Sequence, residues 1–274
     1  MTFSAVARSA DGDSFGVAVA SKFLAVGAAV PAAEAGVGAL ATQAFANLAY
    51  RPEGLSLMRS GIEAAATVNR LVTADAEAQT RQLGVVTASG PGATFTGEEC
   101  LPWCGGVADD GYAIQGNILT GPEVVEAMQV AWLAGDPATS LARRLLAVLA
   151  AGDRAGGDRR GRQSAAVLVV RPGGGYGGTS DVEVDLRVDD DPAPVEGLER
   201  LLRLHELYFT RPDPATLLDL TGDLAAEVTE RLSRLGHPGE PDAALAAWAG
   251  MENLEERLAP GRIDPVVLDL LRKA

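Results

Sequence analysis

The first twenty-two residues, MTFSAVARSADGDSFGVAVASK, alternate apolar with small or polar residues on both sides of a turn. Phe3, Ala5 and Ala7 fall at every second position, which is the spacing of one face of a β-strand. An Asp-Gly-Asp turn follows, and a second alternating run extends from Phe15 to Lys22. The pattern predicts a β-hairpin that begins at residue 2 and ties down the start of the chain.

Beyond this hairpin, strand patterns come in runs and helical patterns come in blocks between them. The segments RQLGVVTASGPGATFTGEE, GYAIQGNIL and SAAVLVVRPGGGYGGTSDVEVDLRVDD predict further strands and hairpins. Amphipathic spacing predicts helices in GPEVVEAMQVAWLAG, DPATSLARRLLAVLAAG and PAPVEGLERLLRLHELYF, and one helix from Pro52 through Leu71. This order favours an α+β fold with antiparallel sheets covered by helices over a parallel βαβ fold.

The composition changes at the stretch Arg211-Pro212-Asp213-Pro214, which has the character of a stiff linker. The sequence after it has three helical patterns and no strand pattern. We therefore predict two domains, residues 1–210 and residues 211–274, of which the second is small and all-helical.

The net charge of −14, from 37 acidic and 23 basic residues, indicates what the protein does not bind. A field of this sign repels phosphate backbones and anionic lipid surfaces, so nucleic acid and membranes are not expected partners. The apolar stretch between residues 16 and 33 lacks the basic start of a signal peptide and is interrupted by Gly27 and Pro31. We expect a cytoplasmic protein.

Cysteine and lysine are both rare in the chain. Cys100 and Cys104 are spaced too widely for a CxxC redox or metal motif, which leaves two ordinary thiols or a local disulfide. Lys22 and Lys273 are the two lysines among 23 basic residues. A lysine at the end of a core strand, where arginine is the default, suggests a need for a compact ammonium.

Thr2 directly follows Met1, and removal of Met1 would give it both a hydroxyl and a free α-amine. An α-amine has a pKa near 8 and can act as the base that activates the hydroxyl of its own residue. A nearby Lys22 would lower the pKa of that amine by like-charge repulsion. The sequence thus indicates Thr2 as nucleophile and base, with Ser4 and Ser21 as alternative hydroxyls.

Other polar residues near strand ends are candidates for binding. The amides of Gln43, Asn47 and Asn117 are able to donate hydrogen bonds to an oxyanion, or merely to complete the hydrogen bonding of a strand end.

The segment GGDRRGRQSAA concentrates positive charge just before a predicted strand. Asp158, Arg160 and Arg162 lie there either as ion pairs in a solvated loop or as a guanidinium fork that binds a substrate carboxylate.

Several long motifs resemble one known family. MTFSAVARS, GVAVASKFLAVGAAVP, GVGALATQAFANLAY, GNILTGPEVV, AGGDRRGRQSAAVLVV and GGYGGTSDVEVDLRVDD occur in the order found in the bacterial DUF1028 family, over nearly all of residues 1–210. The resemblance implies an N-terminal-nucleophile (Ntn) hydrolase-like fold, a four-layer αββα sandwich, and does not imply a substrate. The segment AALAAWAGMENLEERLAPGRIDPVVLDLL resembles a helical module described as peptidoglycan-binding, and a docking or dimerisation role is equally compatible with it.

Together these features predict an amidohydrolase of a small, anionic amide or ureido compound. Thr2 would be the nucleophile, Lys22 would modulate its pKa, Asn117 would donate to the oxyanion, and Arg160 and Arg162 would bind the anionic substrate. No cofactor or metal is expected, and a homodimer or larger homo-oligomer is. The alternative is a non-catalytic binding protein on the same scaffold, whose C-terminal helices dock a partner or peptidoglycan.

Overall fold

The computed structural model describes residues 2–274 of the chain. They form two compact units, residues 2–202 and residues 203–274. The boundary lies within a helix, Pro194–Phe209, a few residues before the Arg-Pro-Asp-Pro stretch.

Strands and helices of the described residues follow one another in blocks along the chain. The strands of the first unit are β1 (Thr2–Arg8), β2 (Phe15–Ser21), β3 (Pro31–Glu34), β4 (Gly38–Ala44), β5 (Arg81–Thr87), β6 (Ala93–Thr96), β7 (Gly105–Asp109), β8 (Tyr112–Asn117), β9 (Ser164–Val170) and β10 (Val182–Val188). Its helices are α1 (Val26–Ala29), α2 (Tyr50–Arg59), α3 (Ala64–Ala74), α4 (Glu123–Ala134), α5 (Leu141–Arg154) and α6 (Pro194–Phe209), which continues into the second unit. The second unit also contains β11 (Leu218–Asp219), α7 (Gly222–Arg234), α8 (Pro241–Met251), β12 (Arg262–Ile263) and α9 (Pro265–Lys273).

Two antiparallel sheets organise the first unit. In the described residues one sheet has six strands in the order β10-β9-β2-β1-β8-β7, and the other has four in the order β3-β4-β5-β6. The predicted terminal hairpin is confirmed, since β1 pairs antiparallel with β2. It lies in the middle of the larger sheet, because β1 also pairs with β8 and β2 with β9.

The two sheets face each other and a pair of helices covers each outer surface. Helices α4 and α5 bury an apolar stripe, including Met128 and Leu145, on the six-stranded sheet. Helices α2 and α3 bury Met58 and Leu71 on the four-stranded sheet. Valines and alanines fill part of the space between the sheets. The first unit is therefore an α+β sandwich with the layer order αββα, which confirms the predicted fold class.

The alternation along β1 assigns its side chains to two layers. Phe3, Ala5 and Ala7 pack towards α4 and α5, whereas Val6 packs between the sheets. Ser4 alternates with the helix-facing residues, and its hydroxyl bonds to Gln43 on the opposite sheet. Every second residue of the N-terminal strand therefore points into the inter-sheet layer.

The prediction of one helix from Pro52 through Leu71 is wrong. Helix α2 ends at Arg59 and α3 begins at Ala64. Between them Gly61 has φ +81°, a left-handed conformation that cannot continue a right-handed helix.

The second unit contains the three predicted helices, α7, α8 and α9, and the short antiparallel ladder β11–β12. Its own core includes Val228, Leu232 and Trp248, and Asp264 caps α9 by accepting from the amide of Val266. Within residues 2–274 no helix has the length and apolarity needed to cross a bilayer. Cys100 and Cys104 are both free thiols.

Candidate functional site

Three sequence-predicted residues meet at one end of the sandwich, where β1 begins and where β2 and β8 end. Thr2 lies opposite Asn117 in the β1–β8 register, and its Oγ1 is 3.1 Å from Oγ of Ser21 at the end of β2. All three residues are buried. Antiparallel pairing causes this meeting, because it places the start of the central strand beside the ends of both neighbours. Met1, whose removal the nucleophile hypothesis requires, lies outside the described residues.

Buried amides connect Asn117 to the opposite sheet. Gln43 and Gln82 lie opposite each other on β4 and β5. Oε1 of Gln82 accepts hydrogen bonds from Nε2 of Gln43 at 2.7 Å and from Nδ2 of Asn117 at 2.8 Å. Nε2 of Gln43 also lies 3.4 Å from the carbonyl oxygen of Thr2. The predicted residue Gln43 therefore belongs to the same cluster as Thr2 and Asn117.

Ser4 and Gln115, the next inward-facing pair on β1 and β8, extend this network further from the strand ends into the space between the sheets. Nε2 of Gln115 donates to Oγ of Ser4 at 2.6 Å, and that hydroxyl donates to Oε1 of Gln43 at 2.7 Å. Within residues 2–274, Oε1 of Gln115 is buried without a hydrogen-bond partner. A Cβ atom on Gly84 would lie 2.1 Å from this oxygen, so glycine on the facing strand leaves room for the amide.

Gln82 and Gln115 are functional-site candidates that the sequence analysis missed. Both stand within apolar strands, in the segments RQLGVV and YAIQGN, at positions that face the other sheet. A glutamine at an inward position of a buried strand needs an internal partner. This need for a partner marks both glutamines as members of a buried network. It does not identify the partners, because they are distant in sequence.

Three loops at this end contain residues in the left-handed backbone region. Ala25, Ala44 and Ile118 have φ values of 51°, 66° and 50°, and they lie at or just beyond the ends of β2, β4 and β8. This conformation is costly for residues with a Cβ, most of all for a β-branched one, and such strain tends to cluster at functional sites.

Large apolar side chains are also exposed on two of these loops, after β2 and β4, and on the connection between β6 and β7, whose Leu101 carbonyl accepts from the amide of Ile118. They are Phe23, Leu24, Phe45, Leu48 and Leu101. Soluble proteins tolerate single exposed apolar residues, but a group of them around one end of a sandwich is typical of a binding surface.

The segment Asp158–Arg162, which we call the arginine loop, is fastened to the same strand ends. One carboxylate oxygen of Asp158, Oδ2, accepts from the amide of Lys22 at 2.7 Å, and the other accepts from the amide of Arg160 at 2.9 Å. The amide of Arg159 donates to the carbonyl of Ile118. Asp158 therefore holds the loop in place through its buried carboxylate.

A cavity of about 360 Å³ lies beside this loop. It is lined by Phe3, Ala20, Ser21, Asp153, Gly156, Asp158, Gly161, Arg162, Pro192 and Pro194. Nε of Arg162 donates to Oδ1 of Asp153 at 2.8 Å, and this ion pair raises the pKa of Arg162 further. Arg160 pairs instead with Asp158, and it does not line the cavity.

Two predicted site residues have contacts other than those expected. Nζ of Lys22 donates to the carbonyl of Arg162 at 3.2 Å, and among residues 2–274 no hydrogen bond joins it to Thr2. Asn47 donates to Asp75 at 3.0 Å and accepts from the amide of Ala49. The side-chain amide of Asn47 is thus occupied by Asp75 at the end of α3 and by the backbone of its own loop.

Metal-ligating side chains do not converge in the described part of the chain. Within residues 2–274 there is no group of three or more histidine, cysteine, aspartate and glutamate side chains able to hold an ion.

The chain is similar to a protein of known structure over most of its length. The crystal structure of protein SPO2555 from Silicibacter pomeroyi, of family DUF1028, is 31% identical and covers 82% of this chain and 92% of its own, with a TM-score of 0.67. No curated protein matches the chain.

Both units match known families. Residues 208–271 match the family described as "Putative peptidoglycan binding domain". Residues 2–198 match the family of unknown function DUF1028. The resemblance seen in the sequence is thus confirmed, and the chain belongs to the DUF1028 family.

Proposed function

We propose that the first unit is an N-terminal-nucleophile hydrolase that cleaves a C–N bond in a small, carboxylate-bearing amide or ureido compound. The observation that carries the proposal is the position of Thr2. Its hydroxyl is buried at the first residue of a central strand, 3.1 Å from Oγ of Ser21, and Ser21 also lines the cavity. A rigid strand suits a nucleophile, because catalysis depends on accurate placement of the reacting group.

The reaction begins after Met1 has been removed. The free α-amine of Thr2 accepts the proton of Oγ1 as that oxygen attacks the substrate carbonyl carbon. The proton then passes to the leaving nitrogen, the C–N bond breaks, and an ester on Thr2 remains. Water attacks the ester with the same amine as base, which releases the acid and restores the hydroxyl.

Asn117 is suited to stabilise the oxyanion of this reaction. One N–H of its amide is held by Gln82, which fixes the orientation of the side chain. The second N–H has no protein acceptor among the described residues. A donor that is already oriented stabilises developing charge without reorganisation.

Arg162 is the proposed site for the substrate carboxylate, because it lines the cavity. Asp158 and Lys22 support the arginine loop from outside the reacting centre. In this proposal Lys22 influences the Thr2 amine only through its field, and the field of an exposed charge is weak.

The proposal is tested first by intact mass and N-terminal sequencing of protein from the native host. Loss of Met1 is expected, and complete retention would contradict the mechanism. Release of amine or ammonia is then measured for a panel of N-carbamoyl and side-chain-amide carboxylic acids. We expect Thr2→Ala to lose at least about 1,000-fold of turnover and Thr2→Ser to retain part of it.

Thr73→Ala, on the exposed face of α3, is the matched control and should be fully active. Equal activity of Thr2→Ala and the unsubstituted protein would exclude Thr2 as nucleophile. If no member of the panel is cleaved by protein with a free Thr2, the unit is better described as a binding protein.

The second unit supports a separate binding function, because residues 208–271 match the peptidoglycan-binding description. We propose that it binds peptidoglycan or its fragments. The full chain should sediment with purified insoluble peptidoglycan and stay in the supernatant with insoluble cellulose. Equal recovery with both polymers would contradict specific binding.

A further inference from the structure

The ion pair between Arg162 and Asp153 leaves part of each group unused. Arg162 employs only Nε in this pair, and its two terminal nitrogens have no protein partner among the described residues. Its side chain is 49% exposed, so these nitrogens are accessible. They present two parallel N–H groups, which is the geometry that binds a carboxylate through both oxygens.

Asp153 is the complementary half of the pair. The residue is only 8% exposed, and Oδ1 accepts from Arg162. Oδ2 has no hydrogen-bond partner in residues 2–274. A buried carboxylate with one unused oxygen favours a ligand that brings a positively charged donor.

The other charged residue that lines the cavity, Asp158, already has hydrogen-bond partners on both carboxylate oxygens. Asp158 accepts hydrogen bonds on both oxygens, from the amides of Lys22 and Arg160 and from the Arg160 side chain. It therefore offers little to a ligand. The remaining lining includes Phe3 and Ala20, which are apolar. One open cationic group and one open anionic group thus face a single cavity.

We propose that this cavity binds the zwitterionic head group of an α-amino acid. The substrate carboxylate binds the terminal nitrogens of Arg162, and the α-ammonium binds Oδ2 of Asp153. A simple anion would satisfy the terminal nitrogens of Arg162 but leave Oδ2 of Asp153 without a partner, and a simple cation would do the reverse. A volume of about 360 Å³ accommodates such a head group together with a side chain.

This inference deepens the proposed function by naming its substrate class, and it rests on that function only for the scissile bond. Since both α-groups of the amino acid are held as free ions, neither is part of the amide that is cleaved. The scissile amide must therefore lie in the side chain of the amino acid.

Isothermal titration of the full chain with the Thr2→Ala substitution tests binding without turnover. The probes are L-glutamine, N-acetyl-L-glutamine, which lacks the ammonium, and L-glutamine methyl ester, which lacks the carboxylate. We expect L-glutamine to bind at least about 10-fold more tightly than either derivative. Equal affinities, or no binding by any probe, would overturn the proposal.

Substitutions in the same background assign each charge to its partner. Arg162→Gln should abolish the preference for L-glutamine over the ester, and Asp153→Asn should abolish the preference over the N-acetyl form. Arg154→Gln removes an exposed charge from the same helix as Asp153 and should change neither preference. A uniform loss of affinity for all three probes would indicate that the ion pair only maintains the fold.

The two proposals fail in different ways. Selective binding of L-glutamine by a chain that never cleaves an amide supports the cavity and contradicts the hydrolase. Turnover of side-chain amides without discrimination between charged and neutralised α-groups contradicts the cavity and supports the hydrolase.

Discussion

The layer between the two sheets has two halves that differ in chemistry although the same strands build both. In the apolar half, valines and alanines pack across the sheets, namely Val6, Val17, Val19, Ala39, Ala41, Val86 and Ala113. In the polar half the inward positions are hydroxyls and amides, namely Thr2, Ser4, Ser21, Gln43, Gln82, Gln115 and Asn117. The change occurs within one or two inward positions of each strand.

The register makes this change coincide on neighbouring strands. Val6 pairs with Ala113 on β8, and two residues earlier Ser4 pairs with Gln115. On the facing sheet Ala39 pairs with Val86, and at the other end of the same strands Gln43 pairs with Gln82. Burial of apolar area stabilises the first half without requiring particular partners. The second half is stable only when its donors and acceptors match, so it specifies the geometry around Thr2.

The largest effect is expected from Gln82→Met, which removes the acceptor shared by Gln43 and Asn117. Asn117 loses its acceptor, and Gln43 keeps only its 3.4 Å contacts with the carbonyls of Thr2 and Gln115. At about 1–3 kcal/mol for each donor, the free energy of unfolding should fall by about 2–6 kcal/mol. Val86→Ala in the apolar half should cost about 2 kcal/mol. Urea denaturation compares the two variants. A smaller loss for Gln82→Met than for Val86→Ala would mean that the amide network contributes little.

A smaller loss is expected from Gly84→Ala, at the border of the two halves. The new methyl group would collide with the Gln115 amide, which should lower the free energy of unfolding by about 1–3 kcal/mol. In a Gln115→Ala background the methyl group has room, so the same change should cost at least about 1 kcal/mol less. Additive losses in this double-mutant cycle would show that the two residues do not compete for space.

Acid should distinguish the uncharged network from an ionic cluster nearby. Arg81 and Asn47 donate to Asp75 and hold the pKa of its carboxyl well below the usual range. A depressed pKa gives stability that is present above the unfolded pKa, about 4, and lost as pH falls towards the folded pKa. Asp75→Asn should therefore flatten the decline in unfolding free energy below pH 4, measured by urea denaturation.

Gln82→Met serves as the reference in that experiment, because it removes no ionisable group. Its stability should decline with acid as steeply as that of the unsubstituted protein. An unchanged decline in Asp75→Asn would mean that other carboxyls govern the acid sensitivity.

The smallest effect is expected from Lys22→Met. Its ammonium is exposed and donates to the backbone carbonyl of Arg162. Because the field of an exposed charge is weak, we expect kcat/KM to change by about threefold or less. Removal of a positive charge raises the pKa of the Thr2 amine, so the acid limb of the rate–pH profile should move to higher pH. A 100-fold loss would restore the direct role that the sequence suggested for Lys22.

Local patterns are sufficient to predict much of the fold. The alternation around Phe3, the turn after β1 and the stripes of α4 and α5 depend on neighbouring residues, and all are confirmed. The break at Gly61 escapes prediction because apolar spacing continues across it. Thr2, Asn117 and Gln43 can be nominated as polar strand ends, but their convergence depends on register between distant strands. The cavity at Asp153 and Arg162 depends on how a helix end meets a loop, which no periodicity encodes.

One chain of hydrogen bonds through the polar half runs in a single direction. Gln115 donates to Ser4, Ser4 to Gln43, Gln43 to Gln82, and Gln82 to Thr96. A rotation of the Gln43 or the Gln82 amide by half a turn would set donor against donor on one side and acceptor against acceptor on the other. Nε2 of Gln82 also donates to the backbone carbonyl of Gly116, which cannot become a donor, so the orientation of the Gln82 amide is fixed. Through it the backbone sets the orientation of the Gln43 amide and of the Asn117 amide.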